Sequence, residues 1–346
     1  MKRNAPRTSL LLALLLLAGC GPEAQPPAVM APAGPTAAPR RAASPAVAPV
    51  TFPLTIASAS GVPITLARAP ERILCLSPGC VDILAELDIQ PVAVIFPLVP
   101  LAELPQFYGD GAAAIATISL AGNSPNFEEI AQARPDLIIG TPIDEPKRAA
   151  LRPIAPLLTI VDTGTYRQLE EQLRTIGRLV GREARADEAV GRFENRLTAY
   201  KARAPRDRSV AIMGVFSFGS VIYTTASPSC HLLTEVARCP WPVPAGATGP
   251  SAPITEERLL EVDPDVIFIQ TLKNPAARGD SPFQAPDRRR ELQASPFWRE
   301  LTAVKAGRVH EVEVWPWGGY GTRSLGIVLD EALPLLYPQV FPRPLP

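Results

Sequence analysis

Histidine is almost missing from this chain of 346 residues, which has only His231 and His310. A site for a bare zinc or manganese ion spends several imidazoles and carboxylates on the metal, so direct metal binding is not expected. Net charge is missing too, with 34 basic against 34 acidic residues. That removes the electrostatic reason to expect a nucleic-acid partner. The chain contains no Gly-x-Ser-x-Gly elbow and no Gly-x-x-x-x-Gly-Lys-Ser/Thr phosphate loop, which excludes two common enzyme plans. Its apolar run from Leu10 to Ala18 is well short of the ~20 residues that a membrane-spanning helix needs.

What that run does fit is an export signal. A basic start, Met1-Lys2-Arg3, precedes it, and small residues and Cys20 follow. Leu17-Ala18-Gly19-Cys20 resembles the lipobox of bacterial lipoproteins, in which the cysteine becomes the first residue and carries the lipids. Each buried CH₂ adds ~0.8 kcal/mol of membrane affinity, so several acyl chains at Cys20 make a firm anchor. Residues 21–50 are almost wholly proline, alanine and small polar residues. Such a stretch builds no core and reads as a stiff tether. The proline excess, 41 in all, is partly explained there.

The folded body is organised around one long helix. Ala186, Val190, Phe193, Leu197 and Tyr200 recur at steps of four and three, one apolar stripe on a helix from about 184 to 203. Pro205 ends it. The flanks of this helix echo one another. Asn126-Phe-Glu-Glu…Arg134-Pro-Asp-Leu-Ile-Ile139 before it answers Thr255-Glu-Glu-Arg…Asp263-Pro-Asp-Val-Ile-Phe268 after it, at constant spacing. Ser77-Pro-Gly-Cys80 is likewise answered by Ser227-Pro-Ser-Cys230. Strand-like runs at 72–76, 91–96, 137–139 and 157–161, and again at 209–216, 266–270 and 308–314, alternate with helical patterns. This is the signature of parallel α/β layers. The expected fold is α/β: two Rossmann-like lobes, 51–181 and 205–346, joined by a single backbone helix, 182–204, with a ligand cleft between them.

Glu128 and Glu257 fall in the first turns of the two matching helices. An acid there complements the helix dipole by 0.3–1 kcal/mol, which alone accounts for it. The repeat offers a second reading: one acid per lobe, gripping two equivalent basic sites on a symmetric partner.

Taken together, the lipobox, the Ala69-Pro-Glu-Arg-Ile-Leu-Cys-Leu-Ser-Pro78 opening, the two Pro-Asp motifs, the single long helix and the Leu329-Asp-Glu…Leu336-Tyr-Pro ending resemble a known family. It is that of the substrate-binding proteins of iron-siderophore, cobalamin and haem ABC importers. The resemblance covers roughly 51–346. It implies two lobes around a cleft, little opening and closing, no catalysis, no resident cofactor, and delivery of a bulky chelate to a dimeric permease by a monomer on the extracytoplasmic side. It also implies that a glutamate on each lobe docks with permease arginines, and Glu128 and Glu257 match those positions.

Within that frame Trp315, Trp317, Tyr320 and Arg323, with Tyr223 as a further member, are candidate contacts for a flat anionic ligand such as a ferric catecholate. Arg288-Arg-Arg290 reads as a solvated face. Cys80 and Cys230 stand where a strand hands over to a helix, a place where ligands bind in such sheets. Three readings stay open for Cys75, Cys80, Cys230 and Cys239: inert buried thiols, a Cys80–Cys230 bridge between lobes, or thiols at the ligand. If 230–239 is one helix its ends lie about 13 Å apart, too far for a disulfide. Cobalamin or haem, the latter with His231 as ligand, is the alternative cargo. A thiol or hydrolytic enzyme on Cys80 or Cys230 with His231 is the remote alternative. Neighbouring helical residues point about 100° apart, so Cys230 and His231 do not form a dyad.

Overall fold

The structure is a computed structural model that describes residues 50–122, 124–246, 249–272 and 285–345. Cys20 and the signal and tether segments lie outside the described residues.

The first lobe begins with the antiparallel pair β1 (Leu54–Ile56) and β2 (Ile64–Leu66). It continues through β3 (Ile73–Cys75), α1 (Pro78–Glu86), β4 (Ala93–Ile95), α2 (Val99–Ala102), β5 (Ala116–Ile118), β6 (Leu120–Ala121), β7 (Ser124–Pro125), α3 (Phe127–Ala133), β8 (Leu137–Gly140), α4 (Glu145–Leu151) and β9 (Leu157–Thr159). Strands β5-β4-β3-β8-β9 form one parallel sheet. Two helices follow, α5 (Tyr166–Leu179) and α6 (Glu183–Lys201).

The second lobe comprises β10 (Val210–Phe216), β11 (Gly219–Tyr223), α7 (Pro228–Leu233), β12 (Ser251–Pro253), α8 (Glu256–Val262), β13 (Val266–Thr271), α9 (Pro286–Ala294), α10 (Pro296–Glu300), α11 (Thr302–Lys305), β14 (Val309–Glu313), α12 (Val314–Trp317) and α13 (Thr322–Leu336). Its sheet order is β12-β11-β10-β13-β14. β10, β13 and β14 pair in parallel; β11 alone is reversed and pairs antiparallel with both β10 and β12. The reason is the short link Ser217-Phe218 between β10 and β11, since a parallel crossover takes a dozen residues or more.

The stripe on α6 is divided between two cores. Ala186 and Val190 pack with the first lobe, whereas Phe193, Leu197 and Tyr200 pack with the second. Helix α5 is shared in the same way, Leu173 and Ile176 going to the first core and Tyr166 and Leu169 to the second. One helix pair thus belongs to both lobes, and interiors this closely packed transmit rotation rather than absorb it.

The sequence echo is also a structural one. Helices α3 and α8 both end on a left-handed residue, Arg134 (φ 46°) and Asp263 (φ 45°), each followed by proline. The next acid then pins the neighbouring central strand. Asp136 accepts from the backbone N–H groups of Glu71 and Arg72, and Asp265 accepts from N–H and Oγ of Ser209. In α3 the Asn126 side chain caps two backbone N–H groups. Glu129 does not reach back to the N–H of that cap, as a capping box would, but bonds the N–H and Oγ of Ser119. The N–H of Asn126 is already spent on the Ser119 carbonyl.

The cysteines correct the sequence reading. They form Cys75–Cys80 and Cys230–Cys239, with Cα–Cα distances of 5.4 and 6.0 Å. The segment after Cys230 is not one helix to Ala237: α7 stops at Leu233 and turns through 234–236, which brings Cys239 back beside Cys230. There are therefore no inert free thiols among these four, and no Cys80–Cys230 bridge.

Candidate ligand cleft

In open α/β sheets the carboxyl ends of the strands carry the ligand site. Here those ends converge through α1 and the segment 314–324. The Ser77 side chain caps α1 by accepting from the N–H of Cys80, at 3.3 Å, and Pro78 suits the first turn because it lacks an N–H. The start of α1 meets the second lobe: a Cβ on Gly79 would stand 3.3 Å from the Tyr320 carbonyl and 2.3 Å from Asp162 Oδ1. Only glycine permits that approach.

Asp162 lies just past β9 and accepts from the N–H of Gly79 at 3.1 Å. Burial pushes its carboxyl up to about 7; the hydrogen bonds from Gly79 and Ser77 oppose the shift and the Asp82 carboxylate adds to it. Tyr320 is raised by burial, with Tyr223 and Asp162 contributing, and Tyr223 is pushed up to about 12 by burial alone. All three residues are half-buried.

Two exposed aromatics stand just past strand ends. Phe96 follows the last residue of β4 and is 62% exposed, and Phe218 in the β10–β11 turn is 75% exposed. Phe218 stacks on Phe216 with ring centroids 4.9 Å apart. Beside it opens a recess of about 500 Å³, lined by Phe218, Pro286, Asp287, Arg288 and Glu291. Sequence reasoning missed Phe96, Phe218 and Asp162. The signal available was their place within three residues of a strand's carboxyl end.

The residues named from sequence separate here. Trp315 is half-buried against the first lobe's core and spans the two halves. With Tyr223 and Tyr320 it stays a candidate contact. Trp317 does not reach the cleft: it is 0% exposed, packs on Phe268 with ring centroids 4.6 Å apart, and donates its indole N–H to Glu331 at 2.6 Å. Cys80 and Cys230 are 0% exposed and disulfide-bonded, so neither presents a thiol.

Arg323 turns away from the cleft floor. It donates to the carbonyls of Ala85 and Gln106 and to Glu86, and its guanidinium lies 5.9 Å from the Phe107 ring centroid. Arg288, Arg289 and Arg290 are paired with Glu291, Glu311 and Asp287, the solvated face expected of them. His231 packs on Tyr166 and burial lowers its imidazole. Among the described residues no cluster of ligands for a metal ion occurs.

Behind the cleft floor the lobes are locked to one another. Asp82 of α1 accepts from the N–H groups of Arg323 and Ser324, at 3.2 and 2.8 Å, and from Ser324 Oγ at 2.5 Å. An acid of the first lobe is thus the N-terminal cap of α13 in the second. Gly321 makes room for it, since a Cβ there would lie 2.1 Å from Asp82 Oδ1. Glu86, one turn on, binds Thr322, Arg323 and Arg192. Burial pushes Asp82 up to about 6; Ser324 hydrogen bonds oppose this and Glu86 adds to it.

Glu128 and Glu257 lie in the first turns of α3 and α8 and are exposed. Neither carboxylate makes a hydrogen bond or ion pair with another of the described residues.

A family model described as periplasmic binding protein matches residues 73–313. The chain belongs to that family. Its curated relatives include a probable siderophore-binding lipoprotein, YfiY, of Bacillus subtilis, 24% identical over 80% of this chain and 86% of the relative. The Fe(3+) dicitrate-binding periplasmic protein FecB of Escherichia coli is 26% identical over 82% and 88%. Among solved structures, the triscatecholate siderophore binding protein FeuA of Bacillus subtilis superposes with a TM-score of 0.65 at 20% identity, over 82% of this chain and 98% of that one. The two-lobe α/β fold is therefore shared. Family and relatives are substrate-binding proteins of ABC importers, not enzymes, and the thiol and hydrolase readings fall.

Proposed function

We propose that this protein is a lipid-anchored carrier, held to the extracytoplasmic face of a membrane through Cys20, which captures a ferric siderophore-type chelate and hands it to a dimeric ABC permease. It works as a monomer without a resident cofactor. The observation that carries the delivery step is the pair Glu128 and Glu257. They are exposed, make no bond to another of the described residues, and occupy equivalent first turns in two repeated helices. A two-fold permease offers each lobe the same basic site, and the pair matches that symmetry. Capture falls to the cleft between the lobes, with Tyr223, Trp315 and Tyr320 as its candidate contacts.

Two measurements test this. Tryptophan-fluorescence titration of the full chain with ferric hydroxamate, catecholate and citrate complexes, cobalamin and haem is expected to saturate with a ferric chelate. Saturation by cobalamin or haem alone defeats the cargo assignment. In cells, Glu128→Arg and Glu257→Arg are each expected to cut chelate uptake by at least roughly tenfold, since a repelled interfacial charge costs several kcal/mol. Chelate affinity in vitro should be unchanged. Undiminished uptake in the double variant defeats the docking assignment.

A further inference from the structure

At the joint between the lobes, on the side of the linking helix, lies a recess of about 360 Å³. Its walls come from three parts of the chain: Glu86 and Gln106 from the first lobe, Arg192 and Arg196 from α6, and Arg323 and Asp330 from α13. Arg192 and Arg196 stand four residues apart on α6, hence side by side on one helix face, where like charges repel. The acids that answer them are already committed. Glu86 accepts from Thr322 on one oxygen and from Arg192 and Arg323 on the other. Asp330 accepts from Tyr200 on one oxygen and from Arg196 on the other. Glu188 reaches Arg192 from outside the recess and is shared with Arg185. Asp82 is spent on the N–H groups of Arg323 and Ser324. The two α6 arginines are not used up. A guanidinium has more N–H donors than these partners take: Arg196 bonds only Asp330, and Arg192 meets Glu86 and Glu188. Their side chains are 38% and 46% exposed, so the remaining donors can be reached. The described lining thus sets three arginines against two carboxylates and holds donors in excess.

We propose that this recess is a second binding site, which takes a small soluble oxyanion, a phosphate or a carboxylate, on Arg192 and Arg196. Guanidinium groups hold such anions through paired N–H···O bonds. The site is separate from the chelate cleft and does not depend on what the cleft carries. Its walls belong to the first lobe, to α6 and to α13, so a bound anion favours the arrangement of lobes that keeps them together.

The test titrates the full-length protein with inorganic phosphate by calorimetry, with sodium chloride at equal ionic strength as the control. Phosphate is expected to bind saturably at one site, to raise the unfolding midpoint and to slow amide exchange at the start of α13; chloride should do none of these. Ile327 lines the same recess and is half-buried. Ile327→Glu adds an acid there and removes none of the ion pairs. A unit charge at such a partly exposed place is worth roughly tenfold or more in affinity, so this variant should weaken phosphate binding by at least that factor. Arg196→Gln keeps a donor for Asp330, removes the charge and should weaken it as much. Chelate affinity measured without phosphate should be the same in Ile327→Glu as in the wild type, which separates this recess from the cleft. Each variant is compared at an unfolding midpoint matched to the wild type's without phosphate, and if one fails to fold the other decides. No saturable phosphate binding, or binding that survives in a folded variant at wild-type strength, overturns the proposal and leaves the ferric-chelate reading standing.

Discussion

Removing both disulfides is expected to lower the unfolding midpoint by roughly 10 °C and to leave chelate affinity unchanged. The two bridges span 5 and 9 residues. Closing loops of that size restricts the unfolded chain by about 2–3 kcal/mol each, hence about 5 kcal/mol together. In a body of this size 1 kcal/mol moves the midpoint by about 2–4 °C. Cys75, Cys80 and Cys230 are 0% exposed and Cys239 is 7% exposed, so a reductant reaches them poorly. Paired Cys→Ala substitutions, followed by calorimetry and ligand titration, are the cleaner measurement. Lost affinity at an unchanged midpoint would return the sulfurs to the binding site, where the structure does not place them.

Asp82→Ala should be the most damaging single change outside the cores, costing about 3 kcal/mol. The substitution removes a cap, typically about 1 kcal/mol, and strands buried donors of Arg323 and Ser324 at about 1–3 kcal/mol. Those donors belong to the other lobe, so the variant should also loosen the joint between lobes. Faster amide exchange at the start of α13 would report this. The pH dependence has a definite sign. The folded carboxyl titrates at about 6, above its ordinary 3.8, so the native state binds the proton more tightly than the unfolded chain does. Its contribution is complete below about 4 and is lost as pH rises through about 6. The gap in stability between wild type and Asp82→Ala should therefore be wider at pH 5 than at pH 8. Denaturant titrations at the two values decide it, and a gap that widens with rising pH would contradict the burial-driven shift.

Much of this was legible before any coordinates. The stripe from Ala186 to Tyr200 places α6 at Glu183–Lys201, because a period of 3.6 is a local property that needs no knowledge of partners. That half of the stripe serves each lobe's core was not legible, because it depends on what packs there. Glu128 and Glu257 emerged from the repeat as equivalent, exposed first-turn acids. Their exposure follows from the short amphipathic helices that carry them. Asp82 was invisible: in sequence it is one acid on a helix, and its meaning comes from a helix start 240 residues away. The disulfides were misread for a similar reason. The distance from Cys230 to Cys239 hinges on where α7 stops, and a helix end is weakly coded beside the tertiary contacts that fix it.

By itself, then, the sequence determined the α/β alternation, the two-lobe repeat, the linking helix and the paired acids, all of which rest on periodicity, capping and proline placement. Only the tertiary structure decided the pairing of the cysteines, the burial of Trp317 and the withdrawal of Arg323 to the joint. Each of these depends on which distant groups compete for the same side chain. Arg323 has one guanidinium, and carbonyls and a carboxylate at the joint already hold it. That competition, not the residue's type, decides where its charge is spent.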